Sequence, residues 1–241
     1  MLQKTRGVVL HSMKYGETGM ITTIYTETFG RMSFIMQGIH GKRSTIKANL
    51  LRQLSLLEIE VDFKHGRELQ RAREIRNILP FGSIPYEISK STQALFLADL
   101  LHKVLREEES QPELFNFLYR SIEMLDLMED GVANYHLVFL LQLSRYLGFA
   151  PTNNFSESNQ FFDMIAGKFV LSPPDHPWIL KSSESSILAK LLDMGYHNLS
   201  EFNPVQGLRN FFINFIVEYY GLHLGNKLNI KSLEILRLIL H

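Results

Sequence analysis

Near residue 80 the spacing of apolar side chains changes period, and this change limits what the 241-residue chain can fold into more than any other feature. Before it, Leu57, Ile59, Val61 and Phe63 alternate with Glu58, Glu60, Asp62 and Lys64, the pattern of a half-buried strand with one solvated face. After Pro80, Ala94, Leu95, Leu97, Leu100, Leu101 and Val104 recur at helical spacing. Strands first and helices afterwards predict an α+β chain.

Residues 1–80 read as five short antiparallel strands: 5–13 around Val8-Val9-Leu10, 20–28, 31–37, 57–64 and 68–78. Gly30 supplies a positive φ for a tight hairpin between the second and third. His65-Gly66-Arg67 turns the chain into the fifth. A Gly-, Lys-, Arg- and Ser-rich stretch, 38–48, leaves room for a short helix before the fourth. This set suits a small closed barrel of the OB type, a nucleic-acid-binding domain over 1–80. Residues 81–241 read as a helical domain with an irregular insert around 149–180, in which 168–171 is a candidate strand. Helices are expected over 85–108, 110–128, 133–147, 183–194 and 204–222, followed by a tail, 224–240. Ser110 with Glu113 reads as a capping box with Pro112 in the first turn. The third helix is apolar on nearly all sides and belongs at the centre of its domain.

Equal numbers of basic and acidic residues, 25 each, hide an uneven split. Residues 1–80 carry 13 basic and 7 acidic side chains, net +6, and residues 81–241 carry 12 and 18, net −6. Such asymmetry suggests an anionic partner for the first part and a different one for the second. With no Cys, the chain has no disulfides, no thiolate catalysis and no cysteine-based zinc or iron–sulfur site. The first residues lack the apolar stretch of a signal peptide, and no apolar run approaches the roughly 18 residues of a membrane span. A soluble, intracellular protein is expected.

No nucleophile elbow and no H-E-x-x-H motif is present. Gly41-Lys42 looks like part of a phosphate loop, but Met36 stands where its first Gly is required. The nine His are scattered singly. The acidic groups 107–109 and Asp126, Glu129 and Asp130 read as solvated helix ends or as contacts for a basic partner. The expectation is a protein that is not an enzyme and needs no cofactor or metal.

What remains is a basic constellation on the barrel. Between Glu27 and Glu58 there is no acid, while Arg31, Lys42, Arg43, Lys47 and Arg52 are present. Arg71 and Arg73 alternate onto one face of the fifth strand. OB barrels hold single strands in such grooves, with cations along the phosphates and aromatics against the bases. Tyr15, Tyr25 and Phe34 are candidate stacking platforms, and Phe34 is equally a candidate for the barrel core. Charge and fold alone leave nucleic acid, a protein partner and a merely solubilising loop open.

Val8-Val9-Leu10-His11-Ser12, Gly16-Glu17-Thr18, residues 25–31 and Gly38 with Lys42-Arg43-Ser44-Thr45 follow in order and spacing the N-terminal part of a known family. Glu113-Leu114-Phe115, residues 139–143 with Leu147-Gly148-Phe149, and Leu224-Gly225 with Lys231-Ser232 continue the likeness. The chain resembles the RecO family of bacterial DNA repair proteins over essentially its whole length. That resemblance implies an OB domain followed by a helical domain. It also implies a recombination mediator that binds single- and double-stranded DNA, anneals complementary strands and helps load RecA onto gaps coated by single-strand-binding protein. Implied partners are RecR, the acidic C-terminal tail of single-strand-binding protein and, in some species, RecF. The implied setting is the nucleoid in the cytoplasm, away from membranes. Carried over by position, the DNA groove comprises Lys42, Arg43 and Lys47, with Arg6, Lys14, Arg31 and Arg52 nearby.

Two departures stand out. Many members carry a four-cysteine zinc element after the third helix, whereas residues 153–167 hold no Cys; polar contacts or packing of Phe155, Phe161 and Phe162 must replace it. Relatives often place arginines just before the position of Phe139, where this chain has Leu137 and Val138. Arg145, Lys103 and Arg106 are weak substitutes for docking an acidic tail.

Overall fold

The computed structural model describes residues 2–37, 48–106, 109–205 and 207–240. The chain divides into two compact units, residues 1–127 with 230–236, and residues 128–229 with 237–241. The change from strands to helices therefore falls inside the first unit.

In that unit β1 (Leu2–Tyr15), β2 (Gly19–Thr26), β3 (Gly30–Met36), β4 (Leu56–Asp62) and β5 (Leu69–Asn77) close into a barrel in the order β1-β2-β3-β5-β4. The reading of five antiparallel strands needs one correction, because β3 and β5 pair in parallel from Ser33 with Leu69 to Ile35 with Arg71. The reason is directional. β1 pairs antiparallel with both β2 and β4, so the two strands left to close the barrel run the same way. β1 serves both neighbours by bending at a register shift between Val9 and His11.

Val9, Ile24, Phe34, Met36, Leu57, Ile59, Val61 and Ile75 fill the interior. The expected short helix is a 3-10 turn, Ala48–Leu51, which adds Leu51 to the same core. Gly30 takes φ +65° at the β2–β3 turn, a conformation that a side chain would strain.

α1 (Ile88–Val104) and α2 (Pro112–Leu127) follow. Asp126, expected at a solvated helix end, instead fastens the connection between barrel and helix. Its carboxylate accepts the main-chain N–H groups of Gly82, Ser83 and Ile84 at 2.8, 2.9 and 2.8 Å. Burial pushes the Asp126 carboxyl up, but these donors and the Ser83 hydroxyl outweigh it and hold it below the usual carboxylate range. The buried Lys90 ammonium completes the fastening, donating to the Ser83 hydroxyl at 2.7 Å and the Asp126 carbonyl at 3.1 Å. The expected capping box is not formed by Ser110, whose hydroxyl donates to the Glu27 carbonyl at 2.6 Å.

The second unit is built on α3 (Tyr135–Tyr146), α4 (Ser182–Asp193) and α5 (Leu208–His223). α3 is buried along nearly all of its length, as its composition requires. The side-chain amide of Asn134 joins three segments. It donates to the carbonyls of Leu199 and Phe202 at 2.9 and 2.6 Å and accepts from Arg209 Nε at 2.8 Å. The tail contains α6 (Leu233–Ile239).

The insert is more ordered than its sequence suggests. β6 (Phe161–Asp163), β7 (Lys168–Val170) and β8 (Ile179–Leu180) form a sheet in the order β7-β6-β8. Strands of two or three residues are too short to show a period. Asn154 acts as a short strand in miniature: its amide donates to the Phe169 carbonyl and accepts the Phe169 N–H, both at 2.9 Å. Asp163 Oδ1 accepts the N–H groups of Ile165 and Ala166 at 2.8 and 2.9 Å, holding the β6–β7 turn. Phe162 packs against Phe169 with ring centroids 5.0 Å apart, and Phe155 meets Phe169 edge-on at 5.4 Å. These residues do not fit a four-cysteine zinc element. Among the described residues there is also no group of three or more His, Cys, Asp or Glu arranged to hold a metal.

Candidate nucleic-acid interface

The β4–β5 loop, residues 63–68, organises the cationic part of the barrel. Gly66 at φ +71° makes the turn tight, and the buried Gln70 side chain templates it from below. Gln70 Nε2 donates to the carbonyls of Lys64 and Arg67, both at 2.8 Å, while its Oε1 accepts the Lys64 N–H at 3.1 Å. The main chain at Lys64 and Arg67 is thus fixed, while both side chains stay exposed.

A cleft of about 490 Å³ opens on one side of this loop, where β3 and β5 part beyond the pairing of Ile35 with Arg71. Among the described residues, Lys64, Arg67, Arg71 and Arg73 line it, with Asp62 its one carboxylate. A second cleft, about 670 Å³, opens on the other side. Among the described residues its cations are Arg31, Lys64, Arg67 and Arg106, and its one carboxylate is Glu68. Phe29 and Phe63 stack in its wall with centroids 4.6 Å apart and planes 11° from parallel. By contrast, the outer face of β1, β4 and β5 sets Glu58, Glu60 and Glu74 beside Lys4 and Arg76. That face is too acidic to attract a phosphate chain.

Of the nine cations singled out from sequence, the six described ones lie in three settings. Arg71 and Arg73 are exposed and share the first cleft, as their alternation requires. Lys14 and Arg52 are exposed toward the far end of β1, where the Ser12 hydroxyl donates to the Leu51 carbonyl at 2.9 Å. Arg6 and Arg31 are engaged within the chain. Arg6 pairs with Glu27, which raises the guanidinium pKa and lowers that of the carboxyl. Arg31 donates to the carbonyls of His102 and Leu105 at 2.7 and 2.6 Å, capping the C-terminal end of α1. Burial, reinforced by the Arg31 charge, pushes the His102 imidazole down to about 4, so it is neutral near pH 7. Lys42, Arg43 and Lys47 lie outside the described residues, as do Glu107 and Glu108.

Of the candidate platforms, Tyr25 and Phe34 are buried and offer no face to a base, while Tyr15 is exposed. Lys64, Arg67 and the Phe29–Phe63 stack escaped the sequence reading, which took 65–67 only as a turn. The available signal was two cations in the loop between the fourth and fifth strands, a loop that OB folds use to contact oligonucleotides. Leu137 and Val138 are fully buried, so that turn of α3 presents no docking surface.

A closed five-stranded barrel with a cationic, aromatic-flanked rim, followed by a helical region, defines an OB-type protein suited to nucleic acid. The family descriptions "Recombination protein O N terminal" and "Recombination protein O C terminal" match residues 1–81 and 85–234. The chain is 39% identical over 238 residues to the DNA repair protein RecO of Bacteroides fragilis and 37% identical over 236 residues to that of Azobacteroides pseudotrichonymphae, with 98% of each chain covered. The DNA repair protein RecO of Flavobacterium psychrophilum is 33% identical over 235 residues, 97% of each chain. This chain belongs to the RecO family of DNA repair and recombination proteins.

Proposed function

We propose that the protein is a non-enzymatic mediator that binds single- and double-stranded DNA and anneals complementary strands during recombinational repair. The observation that carries this reading is the first cleft, where Lys64 and Arg67 on a templated loop and Arg71 and Arg73 on β5 face one carboxylate, Asp62. Neutralising phosphates on two strands lowers their repulsion, and sequence-blind contacts let the bases search for register. Arg71, Arg73, Lys64 and Arg67 are the main DNA contacts in this reading. Lys14 and Arg52, and the sequence-assigned Lys42, Arg43 and Lys47, are further candidate contacts, while Arg6 and Arg31 serve the fold.

The resemblance to the RecO family extends this reading to RecR, the tail of single-strand-binding protein and, where present, RecF as partners, with RecA loading as the outcome at the nucleoid. The net −6 of residues 81–241 supports a second reading, an adaptor for protein partners with weak DNA affinity of its own. Annealing of complementary oligonucleotides precoated with single-strand-binding protein separates the two. The first reading expects annealing that is lost when Lys64, Arg67, Arg71 and Arg73 become Ala. Retention of RecR with no detectable annealing supports the adaptor.

A further inference from the structure

We propose that the cleft on the far side of the β4–β5 loop is a second single-strand site, so that one barrel holds two DNA strands on either side of Lys64 and Arg67. The inference rests on the DNA-binding reading above and adds to it a count of strands and a geometry for annealing.

Three observations support it. Both clefts, about 490 and 670 Å³, fall in the range of roughly 300–1,000 Å³ typical of built ligand sites. Among the described residues the first sets Lys64, Arg67, Arg71 and Arg73 against Asp62, the second sets Lys64, Arg67 and Arg106 against Glu68 beside an Arg31 held by the carbonyls of α1, and Lys64 and Arg67 belong to both. A strand in either cleft therefore meets the same two charges, which screen it from the strand opposite. Separations below the Debye length of roughly 8–10 Å otherwise leave phosphate repulsion largely unscreened.

The clefts also differ in a way that suits two strands. The first is floored by Ile35, Met36 and Ala72 and is walled by arginines, a track for phosphates. The second adds the Phe29–Phe63 stack, with the His65 ring edge-on to Phe63 at 4.8 Å. Aromatic faces beside cations hold unpaired bases without regard to sequence. Thr28, Ser33 and Ser110 line the same cleft.

The test uses the full chain and oligo-dT of about six nucleotides, too short to wrap the loop and occupy both clefts. Low-salt calorimetry should count two oligonucleotides per chain. Arg106 is exposed and lines only the second cleft, so Arg106→Glu should reduce the count to one and slow annealing about tenfold, with an unchanged melting temperature as the folding control. Arg71→Ala with Arg73→Ala should remove the other equivalent. Thr28→Glu, at an exposed turn position of the second cleft, is the alternative block if Arg106→Glu folds poorly. One equivalent in the wild type, undiminished by either block of the second cleft, overturns the second site and leaves DNA binding standing. No binding of oligo-dT at all rejects the DNA-binding reading itself, and the second site with it.

Discussion

Arg6 grips Glu27 through two contacts, Nε to Oε2 at 2.8 Å and Nη2 to Oε1 at 2.6 Å. The same guanidinium lies over the rings of Phe115 and Tyr119, 5.3 and 5.1 Å from their centroids. It thereby joins β1, the turn after β2 and α2. Both partners are about one-third exposed, which weakens the pair through solvent screening. A two-pronged pair with added cation–π contact then contributes about 1–2 kcal/mol. Arg6→Ala should lower urea stability by that amount and leave the salt dependence of DNA binding unchanged. A change in the salt dependence without loss of stability would move Arg6 to the DNA interface.

Arg31 closes α1 in a comparable way, through two main-chain carbonyls. Its removal leaves partly buried acceptors without a charged donor, a loss of about 1–3 kcal/mol. Arg31→Ala should therefore speed amide exchange in the last turn of α1, and Arg31→Lys should restore only part of the protection. Unchanged exchange there would contradict the capping role.

Histidine burial sets an acid limit on stability. His136 is fully buried on α3; burial, with the Arg209 charge, pushes its imidazole down to about 3, while His102 lies at about 4. Both values lie below the ordinary 6.5, so on acidification the unfolded chain takes up protons that the folded chain refuses. Stability from these two groups is complete above about pH 6.5 and falls as the pH drops toward 3–4. Glu27 and Asp126, held low by their donors, add to the loss below about pH 4. Melting temperature should decline from pH 7 to pH 4.5, and nuclear magnetic resonance should show the His136 ring neutral at pH 5. A flat melting curve over that interval would contradict the burial of both rings.

The insert depends on Asn154 and aromatic packing rather than on thiolates. Asn154→Ala removes both hydrogen bonds to Phe169 and should cost about 1–3 kcal/mol, read as faster exchange of the β7 amides. A metal chelator should leave the melting temperature unchanged. A drop on chelation would show that oxygen and nitrogen ligands hold a metal after all.

The barrel was legible because alternation is a local signal: Leu57 to Lys64 declares which side chains face inward. α3 was legible because a helix apolar all round has only one place to go. The parallel β3–β5 closure was not, since it follows from four pairings at once and from no local pattern. Nor were the charges at the interface legible. A sequence lists cations without their partners, so Arg6 and Arg31 read like Arg71 and Arg73 until Glu27 and the carbonyls of α1 come within reach. Lys64 and Arg67 were hidden for another reason, because they flank a glycine turn whose shape depends on side-chain hydrogen bonds of Gln70 that no sequence period announces.

In the proposed function Lys64, Arg67, Arg71 and Arg73 engage the phosphates of single-stranded DNA. The measurement is the slope of log affinity against log salt for an unstructured oligonucleotide. Replacing all four by Ala should flatten that slope by about 2.8, at roughly 0.7 per cation, without lowering the melting temperature. An unchanged slope in the fourfold variant would show that these four side chains do not hold the phosphates.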